Sequence, residues 1–233
     1  VGDLQSRLKV GVPLALISLL FIFSPEFGAP WFFKGGVIAL GVALLIEASR
    51  TVGPNLRLYI LGLGVPLLFL PPYAVLLAIL IIGATRSMEP TKEEVASIFS
   101  ILLIVGGITS LSRIEDPMMI FASVLSVSFA DIGAYFIGRA LGGPKISELS
   151  PNKTLSGLVG GVVIGSLTFG LLSSEYALGI AVVMGSALSD LLESRIKRLL
   201  GLKDMGHLLG AHGGFFDRVD SHLGAWIVLY VWL

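Results

Sequence analysis

Residues 117–139 read PMMIFASVLSVSFADIGAYFIGR, a stretch with one charged side chain, Asp131, before the closing Arg139. A hydrocarbon layer about 30 Å thick requires roughly 20 apolar residues per helix, and this run meets that length. Apolar runs of the same kind recur along the chain. Taken between charges they fall at about 8–23, 31–47, 57–70, 73–85, 95–112, 117–139, 155–173, 176–194 and 221–233. The expectation is an all-α polytopic membrane protein with about nine transmembrane helices. Pro71 and Pro72 split two short runs, so eight crossings are an alternative. The run nearest Val1 lacks the basic start and small-residue cleavage pattern of a signal peptide, and is expected to be a retained span.

Composition agrees with the runs. Of 233 residues, 55% are hydrophobic and 14% charged, against about a quarter charged in ordinary soluble domains. Cysteine is absent, which excludes disulfides, thiolate zinc sites and cysteine nucleophiles. His207, His212 and His222 show no HExxH spacing, so a zinc centre is not expected, and neither is a nucleic-acid partner.

Net charge is zero, yet the charges are sorted. With nine spans, fourteen of the sixteen Lys and Arg residues fall on one side, leaving only Lys34 and Arg113 on the other. Basic loops stay in the cytoplasm, so the loops at 139–154 and 194–220 are expected there, in a cell (plasma or inner) membrane. The chain divides into N-terminal helices, 1–115, and a region, 116–233, that carries both loops.

Glycines recur in the run 155–173 at positions 157, 160, 161 and 165, a spacing that lets helices approach closely in lipid. Asp131 would lie about 12 Å from the Arg139 level at 1.5 Å per residue. A carboxylate at that depth costs several kcal/mol unless paired, hydrated or metal-bound, and so marks a functional position. Tyr135 and Gly138 follow it at helical spacing. Asp190 and Glu193 share a face near the end of the run 176–194, with Lys197 four residues on. Glu193 is open between a supporting role in the site and a structural pair with Lys197.

Asp217 and Asp220, three residues apart, present two hard oxygen ligands on one face, which suits Mg²⁺. Gly213 and Gly214 beside them permit close backbone approach to a ligand. Lys197, Arg198, Lys203 and Arg218 supply cations for phosphate groups, and Arg139, Lys145 and Lys153 form a second basic loop. Acids beneath two basic loops describe a site for a metal-bound polyphosphate, although the soluble P-loop pattern is absent.

The stretch Ser194-Arg-Ile-Lys-Arg198, Lys203-Asp-Met-Gly206 and His212-Gly-Gly-Phe-Phe-Asp-Arg-Val-Asp220 resembles the signature of phosphatidate cytidylyltransferases. Asp131-x-x-Ala-Tyr-Phe-x-Gly-Arg139, Ser150-Pro-x-Lys-Thr154 and Asp190-Leu-x-Glu-Ser194 are similar to further blocks of that family. The resemblance covers about 131–220, with one departure, Ser189, where the family pattern has glycine.

This resemblance implies transfer of the cytidylyl group of CTP to phosphatidate, giving CDP-diacylglycerol and pyrophosphate, with Mg²⁺ alone or with a second cation. It implies catalytic roles for Asp217, Asp220, Lys203 and Arg218. Substrate contacts fall to Ser194, Lys145, Lys153, Lys197, Arg198, His212, Gly213 and Gly214, and metal ligation to Asp217, Asp220, Asp131 and Asp190. CTP, phosphatidate and the bilayer are the expected partners, with a homodimer through the glycine-rich helices as an option. A CTP-dependent polyprenol kinase, a CDP-archaeol-type synthase and a secondary transporter are the alternative readings.

Overall fold

Proline opens three helices of this chain, where its fixed φ suits the first turn and its missing N–H costs nothing. These are α1, Pro30–Ser49, α2, Pro54–Leu67, and α4, Pro117–Leu141. The computed structural model describes residues 16–75, 90–146, 153–206 and 214–233. Helix α3, Lys92–Leu111, begins with a capping box in which Thr91 accepts from the Glu94 amide and the Glu94 side chain accepts from the Thr91 amide. Helices α5, Leu155–Ser173, α6, Tyr176–Leu199, and α7, Phe216–Trp232, complete the set. Helical residues also occur at 16–22 and 72–75, and the rest of the expected first and fourth runs lies outside the described residues.

Among the described residues the regular structure is helical, apart from one isolated backbone bridge, Lys145 with Thr154. Five helices, α1, α3, α4, α5 and α6, are long and apolar enough to cross a membrane. Their surfaces agree with that medium. On α5, Leu155, Val159, Val163, Leu167 and Leu171 are all exposed at four-residue steps. A helix in a soluble domain would turn such a stripe inward.

Two boundaries differ most from the sequence reading. Helix α6 runs on to Leu199 rather than ending at 194, and α7 starts at Phe216 rather than 221. Arg195, Lys197 and Arg198 are good helix formers, and Lys197 and Arg198 lie in the last turn of α6, where cations favour the helix C-terminus. The polar loop between α6 and α7 is therefore only residues 200–215.

Close crossings organise the bundle. A Cβ on Gly157, Gly161 or Gly165 of α5 would stand 2.8–2.9 Å from the carbonyl oxygens of Ala134, Ala130 and Ser126 of α4, so α4 and α5 touch backbone to backbone along an antiparallel seam. Ser126 Oγ donates to the Gly165 carbonyl across it at 2.8 Å. The glycine face expected to offer a dimer surface is thus buried inside the chain, against α4. At the next seam, Gly185 of α6 and Gly224 of α7 meet in the same way, and Ser189 Oγ donates to the Asp220 carbonyl. The seams bring the C-terminal ends of α1, α4 and α6 to the N-terminal ends of α5 and α7.

Gly161→Val forces a branched side chain into the Ala130 carbonyl and is expected to destabilise the protein by about 2 kcal/mol or more in detergent unfolding. Gly62→Ala, where nothing lies within 4 Å of the new Cβ, is expected to be neutral or to stabilise by up to about 1 kcal/mol.

Candidate active site at one end of the bundle

Helix α6 turns Asp190, Glu193 and Lys197 toward α7, because residues three and four apart share a helix face. The α6–α7 contact of Gly185 with Gly224 is close enough that Asp217 and Asp220 of α7 come directly over them. Carboxylate oxygens of Asp190, Glu193 and Asp220 lie within 4.8 Å of one another. Glu193 is fully buried and Asp220 is 8% exposed. Lys197 bridges two acids, with Nζ 2.5 Å from Glu193 Oε2 and 3.1 Å from Asp217 Oδ1. Glu193 Oε1 accepts no hydrogen bond among the described residues.

The loop between α4 and α5 closes as a short backbone pairing. The Ile146 amide donates to the Lys153 carbonyl and the Leu155 amide to the Pro144 carbonyl, at 3.0 and 2.9 Å. Thr154 then caps α5 by accepting from the Gly157 amide. This pairing aims Lys153 into the cluster, where its ammonium group is ion-paired with Asp190. Burial holds the Lys153 ammonium below the ordinary lysine value, outweighing the opposing pull of Asp220, Asp131 and Glu193.

Four carboxylates, Asp190, Glu193, Asp217 and Asp220, thus meet two ammonium groups in this cluster. Uncompensated charge away from water is costly, so the excess of acid is relieved by a bound proton or by a further cation. Hard, closely spaced oxygen donors fit a divalent metal ion.

A cavity of about 260 Å³ adjoins the cluster between α4, α5 and α6. Its polar end carries Asp131, Lys153, Thr154 and Asp190, and its walls are Ala130, Ala134, Leu158, Val162, Val183 and Leu191. Asp131 and Tyr135 are exposed at its rim, with the Tyr135 hydroxyl accepting from Arg139 at 2.9 Å. The cavity is thus charged at one end and apolar along its walls.

The sequence of the whole region matches the model of the cytidylyltransferase family over residues 6–233. The chain belongs to that family. Among its relatives, a phosphatidate cytidylyltransferase of Brucella suis is 43% identical over 138 residues, 52% of this chain and 50% of the relative. The chain spans about half the length of that relative within the match. A phosphatidate cytidylyltransferase of Mycobacterium tuberculosis is 38% identical over 125 residues, covering 47% of this chain and 38% of the relative. One from Helicobacter pylori is 29% identical over 246 residues, 98% of this chain and 91% of the relative.

Family membership gives the cluster its setting, and the expected site residues distribute unevenly around it. Asp131, Lys153, Asp190, Lys197, Asp217 and Asp220 converge. Asp217, expected as a metal ligand, also has a structural part. Its oxygens accept from the amides of Met205 (3.1 and 3.0 Å) and Gly214 (2.9 Å) and pair with Lys197, so it ties the ends of the loop to α7. Glu193 takes the inner position instead.

Lys145, Arg198, Lys203 and Arg218 are exposed, and Ser194 is half-buried. Gly138 does not line the cavity with Asp131 and Tyr135 but lies over Thr154 and Gly157. His212 and Gly213 fall outside the described residues.

Ser189, Thr154 and Glu47 of α1 are contributors that the sequence reading did not assign. The same depth argument that marked Asp131 applies to Glu47, a carboxylate closing an apolar run.

Lys197→Met leaves Glu193 and Asp217 without their shared cation and is expected to destabilise the protein by about 3 kcal/mol. Adding Glu193→Gln to that variant is expected to recover part of the loss. Unfolding of the two single variants and the double variant measures the coupling.

Proposed function

We propose that this protein transfers the cytidylyl group of CTP to phosphatidate, giving CDP-diacylglycerol and pyrophosphate for phospholipid synthesis. One observation carries the reading beyond family membership. An acid-rich cluster with two half-buried lysines abuts an apolar cavity, so a metal-bound polyphosphate and a lipid anion have adjoining places.

The phosphate oxygen of phosphatidate attacks the α-phosphorus of CTP, an O–P bond forms, and the bond to the β-phosphate oxygen breaks with release of pyrophosphate. The nucleophile is already anionic, so no strong general base is required, and anion–anion repulsion is the main obstacle. Catalysis of this type is positioning and charge neutralisation. Mg²⁺, when bound, supplies charge neutralisation at phosphate oxygens, and Asp190, Glu193 and Asp220 would hold it, with Asp131 nearby at the cavity.

Lys153 stands at the head of the cavity and is assigned to the lipid phosphate. An arriving phosphate offers its ammonium group a second partner beside Asp190, offsetting its burial. Lys197 holds the acids of α6 and α7 in register. The exposed cations Lys145, Arg198, Lys203 and Arg218 are assigned to the triphosphate, as are Ser194 and Gly214 and, from outside the described residues, His212 and Gly213. Asp217 positions this loop through the Met205 and Gly214 amides. The apolar walls of Leu158, Val162 and Val183 receive the start of the lipid tails.

We also place the site on the cytoplasmic face of a cell (plasma or inner) membrane, in a chain of about nine spans. The fourteen-to-two distribution of Lys and Arg supports that orientation, as does the gathering of Lys153 and Lys197 at one end of the bundle.

Purified protein incubated with phosphatidate, labelled CTP and Mg²⁺ is expected to form CDP-diacylglycerol and pyrophosphate. Chelation should stop turnover, and Asp220→Asn should lower kcat about 100-fold or more while the protein stays folded. Absence of CDP-diacylglycerol, where a family relative assayed in parallel makes it, would overturn the reading.

A further inference from the structure

Helix α7 carries Asp217 and Asp220, yet it does not cap itself. Its N-cap residue, Phe215, makes no side-chain hydrogen bond to the first turn. The first amide groups of a helix need acceptors from somewhere, and a negative charge is favoured there. Here the acceptor comes from the N-terminal half of the chain. Glu47, near the end of α1 and 1% exposed, accepts the Phe216 amide on Oε2 at 2.7 Å.

The other oxygen of Glu47 lies at the neck of the loop before α7. A Cβ on Gly206 would come within 2.1 Å of Glu47 Oε1, and a Cβ on Gly214 within 3.0 Å. The two loop ends also touch each other, since the Gly206 nitrogen is 2.8 Å from the Gly214 Cβ position. Asp217 grips the same neck through the Gly214 and Met205 amides. Glu47 Oε1 accepts no hydrogen bond among the described residues. A buried carboxylate placed this way costs stability unless it fixes something. What it fixes is the first turn of α7, with Asp220 one turn further on.

We propose that Glu47 is a positioning residue for the site, a cap supplied by α1 that sets the height and direction of α7 and so the placement of Asp217 and Asp220. The proposal rests on the cytidylyl-transfer reading for its kinetic consequence, but its structural consequence is independent of any activity. It gives the N-terminal helices a part in the chemistry although they contribute none of the converging acids.

The test uses the full chain with Glu47→Ala and Glu47→Gln, the latter keeping one oxygen able to accept the Phe216 amide. Hydrogen exchange of the segment 214–220 is expected to quicken about 10-fold or more in Glu47→Ala and less in Glu47→Gln. For folded protein, kcat is expected to fall about 100-fold in the alanine variant and about 10-fold in the glutamine variant, with KM for phosphatidate within about twofold, as misplacement far from the substrate demands.

Unchanged exchange at 214–220, or wild-type kcat per folded molecule, would overturn the proposal. A purely structural role would lower the melting temperature and leave that kcat intact. If Glu47→Ala does not fold, Glu47→Gln decides by the same readouts. Should the wild type fail to turn over phosphatidate and CTP, the functional reading falls, while the exchange measurement still decides the role of Glu47.

Discussion

Excess acid in a confined space is the constraint on which the rest of this structure depends. Among the described residues, Asp190, Glu193, Asp217 and Asp220 are drawn together, with Lys153 and Lys197 paired to them. At an effective dielectric of about 20, two like charges 4 Å apart repel by roughly 4 kcal/mol. An arrangement of this kind persists only if each lysine serves more than one acid and if something further neutralises the remainder. Lys197 pairs with both Glu193 and Asp217, and Lys153 pairs with Asp190 while sensing Asp220, Asp131 and Glu193. A divalent cation held by these oxygens would relieve that repulsion.

Such proximity needs helices that nearly touch. Ordinary side chains hold helix axes 8–10 Å apart. The glycines at 157, 161 and 165 remove that spacing between α4 and α5, and Gly185 with Gly224 removes it between α6 and α7. Serine hydroxyls then donate to backbone carbonyls across both seams, Ser126 to Gly165 and Ser189 to Asp220. Ser189 thus holds the residue that carries a carboxylate of the cluster. Packing and chemistry are linked at these seams, since the groups that bring the helices together also fix where the acids stand.

The membrane class and most helices were legible because apolar length and charge spacing are local properties of a sequence. The site was legible where a carboxylate interrupted an apolar run, as at Asp131 and Asp190. Glu193 was harder, because its spacing to Lys197 reads equally well as an ordinary helix pair; only the arrival of α7 makes it an inner ligand candidate. Asp217 shows the reverse. Its i,i+3 relation to Asp220 is real, but the chain turns back at Met205 and Gly214 and offers amides that a linear reading cannot see. Glu47 carries the same depth signal as Asp131, but its partner Phe216, 169 residues away, is not visible in a linear reading.

The claim that the charge excess of this cluster is completed by a divalent cation is tested most directly by Mn²⁺ binding followed by electron paramagnetic resonance on the purified protein. The account predicts a bound ion in the wild type that is displaced by Mg²⁺ and lost in both Asp190→Asn and Asp220→Asn. Retention of the same bound signal in both variants, with unchanged affinity, would contradict it.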